Sequence, residues 1–379
     1  MNRSARPVFR RDLCRALVPR TGKARDELAA TSEPKETKPV HMRTDHRICI
    51  FLSGALGDFV NALPALSVLR QSYLSSFIEL VGNPSWLPLL EEARIVDQVR
   101  SQEVLPLSAA FQKSLPCPNP LARFLEPFDL VLSWFGDPEG LWERALQKTC
   151  RGRVHVFPLH RCRAYPGHVS EYFLSTLRDL GIHEPFRGPF RFPWQKPADP
   201  EGKNPGRADP EDPPRLCIHP GSGSPAKNWM QERFLEVARS VRQRWNFEVT
   251  VLLGPAEKRQ QVFWAEADSP GLSVVSDLPI VALARILSGT KLYVGNDSGV
   301  THLASCLGVP VVALFGPTDT ARWAPRGEHV CILQGKAACA PCGEPGQAKC
   351  AGPECMLAIE TGQVLEAVER ILCGINQAR

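Results

Sequence analysis

Apolar and polar positions along this chain alternate between two rhythms. Short, nearly unbroken apolar runs ("RICIFL", "SFIELVG", "FDLVLSW", "RVHVF") read as strands covered on both faces. Helical stretches such as "FVNALPALSVLRQSY" and "HVSEYFLSTLRDLG" stand between and after them. Beyond residue 214 the pattern starts again. The strand "RLCIHP" leads through the loop "GSGSPAKN" to the amphipathic stretch "WMQERFLEVARSVRQRW". Then come "FEVTVLLG", "LSVVS", the helix "PIVALARILSG", "KLYVG", a helix from Asp297, and "VPVVALFG". Strands of this kind alternating with helices predict an α/β protein with parallel sheets. Two such series, each opened by strand, small-residue loop and helix, predict two Rossmann-like, doubly wound domains facing a cleft. "TGQVLEAVERILCG" sets Val364, Leu365, Val368, Ile371 and Leu372 on one face with Gly374 as a stop, a closing helix.

Residues 191–214 place 7 Pro in 24 positions, which excludes helix and central strand and reads as an extended linker. The predicted organisation is a leader at 1–45, an N-terminal Rossmann-like domain at 46–190, the linker at 191–214, a second Rossmann-like domain at 215–358 and the closing helix at 359–379. A chain of 379 residues suits two domains, and 43% hydrophobic with 22% charged residues describes an ordinary globular protein. The net charge of +5 is unevenly spread: residues 1–47 hold 12 Lys/Arg against 6 Asp/Glu, and the remainder 33 against 34. A neutral body argues against a nucleic-acid-binding face. The leader lacks the apolar region of a secretory signal, is expected to be disordered, and leaves Met42 as an alternative start. The expected compartment is the cytoplasm. Ile48–Leu69 has the length of a membrane span, but Gly54, Gly57, Asp58, Asn61 and Pro64 interrupt it. A mid-bilayer Asp alone costs ~2.5–3.5 kcal/mol, so a buried strand, loop and helix explain the run better.

Ligands of open parallel sheets bind beyond the carboxyl ends of the strands, which here are the loops "SGALGD", "PGSGSPAKN", "GPAEK" and "GNDSGVTH". Backbone N–H groups at a helix start, with Lys227 beside them, make an anion site. "GSGSPA" also fits the dinucleotide pattern G-x-G-x-x-A, but the next strand, "FEVTVLLG", ends without the ribose-binding acid. "GNDSGVTH" gathers Asp297, Ser298, Gly299, Thr301 and His302 at one helix start, and a capping residue accounts for one of the five. Asp297 would repel phosphate, so it suits a sugar hydroxyl or the orienting of neighbouring donors. Asp58 reads equally as helix N-cap and as general base. An N-terminus favours its ionised form and weakens it as a base.

The motifs "GALGDFVNALPAL", "HPGSGSPAKNWMQERF", "LLGPAE", "GNDSGVTHLASCLGVPVVALFGPTD" and the terminal Cys-x-x-Cys…Cys-Met resemble glycosyltransferase family 9, in that family's order, over roughly residues 47–375. The resemblance implies a GT-B fold and an inverting, metal-independent enzyme. It would move a heptose from ADP-heptose to a lipopolysaccharide inner-core acceptor, either Kdo or an earlier heptose. By the same resemblance Asp58 is the base. Ser222, Lys227, Glu257, Asp297, Ser298, Gly299 and His302 bind the donor, Lys227 its phosphate and Glu257 its ribose. Gly57, Gly316, Thr318 and Asp319 line the cleft. The implied partners are the nucleotide sugar and a lipid-linked saccharide, with peripheral contact at the cytoplasmic face of the inner membrane.

The chemistry agrees with these residue types. Charge develops on a diphosphate as the anomeric bond breaks, and fixed donors with Lys227 stabilise it. The sequence contains no Asp-x-Asp, the usual loop of metal-using sugar transferases, so no cofactor is expected. Cys339, Cys342, Cys350 and Cys355, spaced C-x₂-C-x₇-C-x₄-C, could close a structural zinc site, stay reduced, or form reversible disulfides. Two other functions share the fold: a non-catalytic or differently specific sugar-nucleotide-binding relative, and a nicotinamide-dependent dehydrogenase. The missing ribose acid argues against the second.

Overall fold

The computed structural model describes residues 46–105, 107, 119–183, 188–193, 213–267, 271–342, 350 and 353–377. The leader at 1–45 and most of the Pro-rich linker lie outside the described residues.

The first series forms a five-stranded, all-parallel sheet in the order β3-β2-β1-β4-β5. Its strands are β1 (Arg47–Leu52), β2 (Phe77–Gly82), β3 (Gln98–Ser101), β4 (Leu130–Ser133) and β5 (Arg153–Val156). β1 lies at the centre with Ile48 to Leu52 all buried, which is why its sequence shows no alternation. α1 (Leu56–Ser72) follows β1, and α2 (Leu87–Ala93), α3 (Pro120–Leu125), α4 (Leu141–Thr149) and α5 (Val169–Thr176) complete this half. α1 is buried almost all round, from Phe59 to Leu69. Two consecutive elements that both lack a wet face produce the span-like run noted in the sequence.

The second series forms a six-stranded parallel sheet in the order β11-β10-β9-β6-β7-β8. Its elements run β6 (Arg215–His219), α6 (Gln231–Trp245), β7 (Glu248–Leu253), α7 (Gln261–Glu266), β8 (Leu272–Ser276), α8 (Ile280–Ser288), β9 (Leu292–Asn296), α9 (Gly299–Cys306), β10 (Val311–Phe315), α10 (Thr320–Trp323), β11 (Val330–Gln334), α11 (Glu354–Leu357) and α12 (Thr361–Gln377). The amphipathic reading of α6 holds: Phe234, Leu235, Val237, Ala238 and Val241 are buried, and the helix stops at Asn246 in the left-handed region. α12 packs on α6 as the closing helix.

Apolar side chains form three layers. One lies outside the first sheet under α3 and α4, and one outside the second under α6 and α12. The third is shared: Phe59 and Leu66 of α1, Phe173 of α5, Leu287 of α8 and Leu303 of α9 belong to one buried cluster. The two halves are thus joined by packing as well as by chain. Each strand order reverses at a switch point, between β1 and β4 in one sheet and between β6 and β9 in the other. The loops after β1, β6 and β9 therefore emerge where such sheets bind ligands.

Candidate active site

The loop after β1 is held from the neighbouring strand. Gly54 O accepts from Asn83 Nδ2 at 3.3 Å and from the indole of Trp86 at 3.0 Å. Trp86 in turn stacks on Phe59 with centroids 4.4 Å apart. Asp58 lies in the first turn of α1 and is half-buried. Its Oδ2 accepts from the Ala55 amide at 3.0 Å. The N-cap role expected for Asp58 is not what is found. Ala55 is the N-cap and Asp58 the third helical residue, because the carboxylate reaches back to satisfy the Ala55 amide and lets the helix begin at Leu56.

Across from it, β9 ends on Asn296 and Ser298 caps α9, its Oγ accepting from Thr301 N at 3.3 Å. Thr301 Oγ1 lies 3.0 Å from Tyr293 OH and 3.1 Å from Ser298 Oγ, so this helix start is internally braced. Lys227 sits in a 3₁₀ turn (Pro225–Lys227) before α6, not at the first turn of that helix. Its Nζ is 2.8 Å from Asp297 Oδ2, an ion pair off the line of a hydrogen bond. His302 Nε2 stands 4.0 Å from Asp297 Oδ1. Burial, ahead of the opposing pull of Asp297, lowers the His302 pKa, so the imidazole is neutral at pH 7. Asp297, Lys227, Ser298 and His302 thus form one cluster.

The two clusters meet. A Cβ on Gly299 would lie 2.9 Å from Gly57 N, and one on Gly57 would lie 4.0 Å from His302 Cδ2. The N-termini of α1 and α9 therefore abut, with Asp58 on one side and the Asp297–Lys227 pair on the other. Beside them His302, Asn61, Ser170 and Arg326 line a cavity of about 20 Å³.

Glu257 is 4% exposed, and its Oε2 accepts from Gly254 N at 2.8 Å. Its other oxygen lies over Gly221, where a Cβ would collide with it. His219, at the end of β6, places Nδ1 2.9 Å from Leu252 O, and burial lowers its pKa against the nearby Glu257 charge. Ser222 keeps its hydroxyl within its own loop, 2.7 Å from both Ser224 O and Asn228 Oδ1. Of the loop after β10, Asp319 caps α10 and Thr318 is buried with a hydroxyl that has no partner among the described residues. Gly316 is packed against Met356 and Cys355, so this loop rests directly on the cysteine-rich segment. Cys342 N also donates to Pro317 O at 3.1 Å.

Several contributors escaped the sequence reading. Asn61 Nδ2 donates to Gly57 O at 2.8 Å, fixing the first turn of α1. His168 caps α5 through Nδ1 and meets Ala324 O through Nε2 at 2.8 Å, joining the two halves. Arg326 with Glu171 and Arg322 with Cys162 O, each at 2.5 Å, complete this clasp. Its partners are some 155 residues apart or more, a separation with no local signature.

The sequence profile described as glycosyltransferase family 9 (heptosyltransferase) matches residues 190–350. Lipopolysaccharide heptosyltransferase 1 of Pseudomonas aeruginosa is 24% identical over 322 residues, covering 78% of this chain and 86% of the relative. Among solved structures the chain is similar to a family 9 glycosyl transferase from Veillonella parvula, with TM-score 0.69, 20% identity and coverage of 88% of this chain and 99% of that one. It is also similar to Escherichia coli heptosyltransferase WaaC with ADP, with TM-score 0.63, 16% identity and coverage of 86% and 99%. The fold is the GT-B arrangement of two facing parallel sheets.

Proposed function

We infer that this chain is a member of glycosyltransferase family 9 and transfers a heptose from ADP-heptose to a sugar hydroxyl of the lipopolysaccharide inner core, with inversion at the anomeric carbon. The observation that supports this reading is the abutment of α1 and α9, which brings Gly57, the neighbour of Asp58 in the chain, against Gly299 and His302 of the helix start that follows the Asp297–Lys227 pair. Lys227 and the amides at the start of α9 receive the diphosphate, and neutral His302 adds a donor. The acceptor oxygen forms its bond to the anomeric carbon as the bond to phosphate breaks. Its proton passes to the Asp58 carboxylate, and ADP leaves. Bound acceptor excludes water from a half-buried Asp58 and strengthens it as a base. The test is transfer from ADP-heptose to Kdo- or heptose-terminated acceptors, read by mass spectrometry. Asp58→Ala should abolish product while ADP still binds; product formed at the wild-type rate refutes the role.

No metal takes part in this scheme, the charge of the leaving group being met by protein groups. Burial raises the Cys355 pKa, and the proximity of Cys342, Cys339 and Cys350 adds to the rise, so those three lie within electrostatic reach of Cys355. As placed they do not fit a bound ion, for among the described residues no three such side chains converge at ligand geometry. Of the four, Cys355 is buried against Gly316, Cys342 is half-buried, and Cys339 and Cys350 are exposed.

The acceptor is lipid-linked on this reading, and the protein works at the cytoplasmic face of the inner membrane. Among the described residues no helix is long and apolar enough to cross a membrane. We propose that contact with lipid is peripheral, and co-flotation with vesicles carrying the acceptor tests it.

A further inference from the structure

The loop from Pro220 to Trp229 carries Lys227, the residue read above as the diphosphate ligand, and both of its ends are tied to one side chain. Asn296 Nδ2 donates to Pro220 O at 2.7 Å, and Asn296 Oδ1 accepts from Trp229 N at 3.1 Å. Asn296 has no solvent exposure, so its amide must find both partners inside the protein, and it does. The tie is specific in direction. Pro220 offers a carbonyl and Trp229 an amide hydrogen, so a side chain with one donor and one acceptor in a fixed plane is required. Neither an aliphatic side chain nor a carboxylate supplies that pair.

The next residue in the chain is Asp297, whose carboxylate pairs with Lys227 of the same loop. Two consecutive residues at the end of β9 thus grip the loop at three points: its start, its end and its lysine. The Asn296 backbone is itself fixed, since its carbonyl accepts from Thr301 Oγ1 in the first turn of α9. The loop after β6 is therefore referenced to the same helix start that would receive the donor phosphates.

We propose that Asn296 is a positioning residue for the nucleotide sugar: it holds the Pro220–Trp229 loop so that Lys227 and the start of α9 address one diphosphate together. Asn296 itself touches no substrate and acts through Lys227, so this conclusion rests on the donor-site reading given above. It separates binding from folding. A residue that only stabilised the domain would change the melting temperature and leave nucleotide affinity in the folded protein as it was.

The experiment is calorimetric titration of the full chain with ADP, for wild type, Asn296→Ala, Lys227→Met and the double variant, with steady-state kinetics alongside. Asn296→Ala is expected to weaken ADP binding and raise the donor KM, each about tenfold, with the acceptor KM unchanged. The double variant should bind ADP no more weakly than Lys227→Met alone, because the two residues serve one interaction. Wild-type affinity in folded Asn296→Ala, or losses that simply add, overturns the proposal. If circular dichroism shows Asn296→Ala unfolded, Asn296→Ser carries the test. Its hydroxyl serves only one partner at a time, so a loss of about threefold is expected and wild-type affinity again overturns the proposal. A wild-type chain that does not bind ADP instead removes the donor-site reading, and the proposal with it.

Discussion

Gly57 and Gly299 face each other bare where α1 meets α9, and the clearance is unequal. A Cβ on Gly299 would lie 2.8 Å from Leu56 Cβ and 2.9 Å from Gly57 N, whereas one on Gly57 would find nothing closer than 3.8 Å. Gly299→Ala must therefore drive the two helix starts apart, at an overpacking cost of ~1–3 kcal/mol. Gly57→Ala fits. The expected result is a loss of transfer rate of tenfold or more in Gly299→Ala and less than threefold in Gly57→Ala, read by steady-state kinetics on both.

Lys227 is the cation paired with Asp297, and Asp297 is only 7% exposed. If Lys227 receives the donor diphosphate as proposed, Lys227→Met removes a charge-assisted contact worth ~1.5–3 kcal/mol, or roughly ten- to a hundredfold in affinity. It also strands the Asp297 carboxylate. Calorimetry with ADP should show the affinity loss, and thermal denaturation a melting temperature several degrees lower.

The loop before Asp58, the base on the reading proposed above, is held by Trp86, whose indole is one of two donors to Gly54 O. Trp86→Phe keeps the stack on Phe59 and drops that donor. A stability loss of ~1 kcal/mol is expected. If the loop places Asp58, kcat should fall several-fold with ADP affinity unchanged, and stopped assays under saturating donor decide it.

Burial pushes the His168 pKa down to about 4, the carbonyl of Ala324 opposing the shift only in part. Between that value and the ordinary ~6.5 the unfolded chain binds a proton that the folded chain refuses. Stability from this group is therefore complete above pH 6.5, declines as the pH falls, and levels off below about 4. The shift corresponds to ~3 kcal/mol. His302 and His219, also lowered by burial, add losses of the same sign. Melting temperature should drop from pH 7 to pH 5. Asn at position 168 can still cap α5 but does not titrate, so His168→Asn should show a shallower drop over that range.

Much of the fold is legible in the sequence because β1, β6, β9 and β10 are central strands, and central parallel strands write themselves as unbroken apolar runs. β3 is not, since "QVRS" is a short polar edge whose pairing with β2 supplies the order that its residues do not. The residues of the site were named from motifs, and the structure brings Asp297, Ser298, Gly299, His302 and Lys227 together at one helix start. What stayed hidden is support. Asn296 stands in plain view inside "GNDSG", yet its two partners lie 76 and 67 residues away. The helix α1 starts three residues before the point that an Asp58 N-cap implies, because Ala55, a poor cap by type, is served by Asp58 from within the helix.

The apolar cluster common to both halves limits how the enzyme can move. Phe59, Leu66, Phe173, Leu287 and Leu303 exclude water jointly, so a wide hinge opening would wet side chains from both sheets at once. A small sliding of α1 along α9, a shear, would keep this cluster dry where a gape would not. On the reading proposed above, an acceptor attached to a bulky lipid would then present only its terminal sugar at the rim between the two sheets.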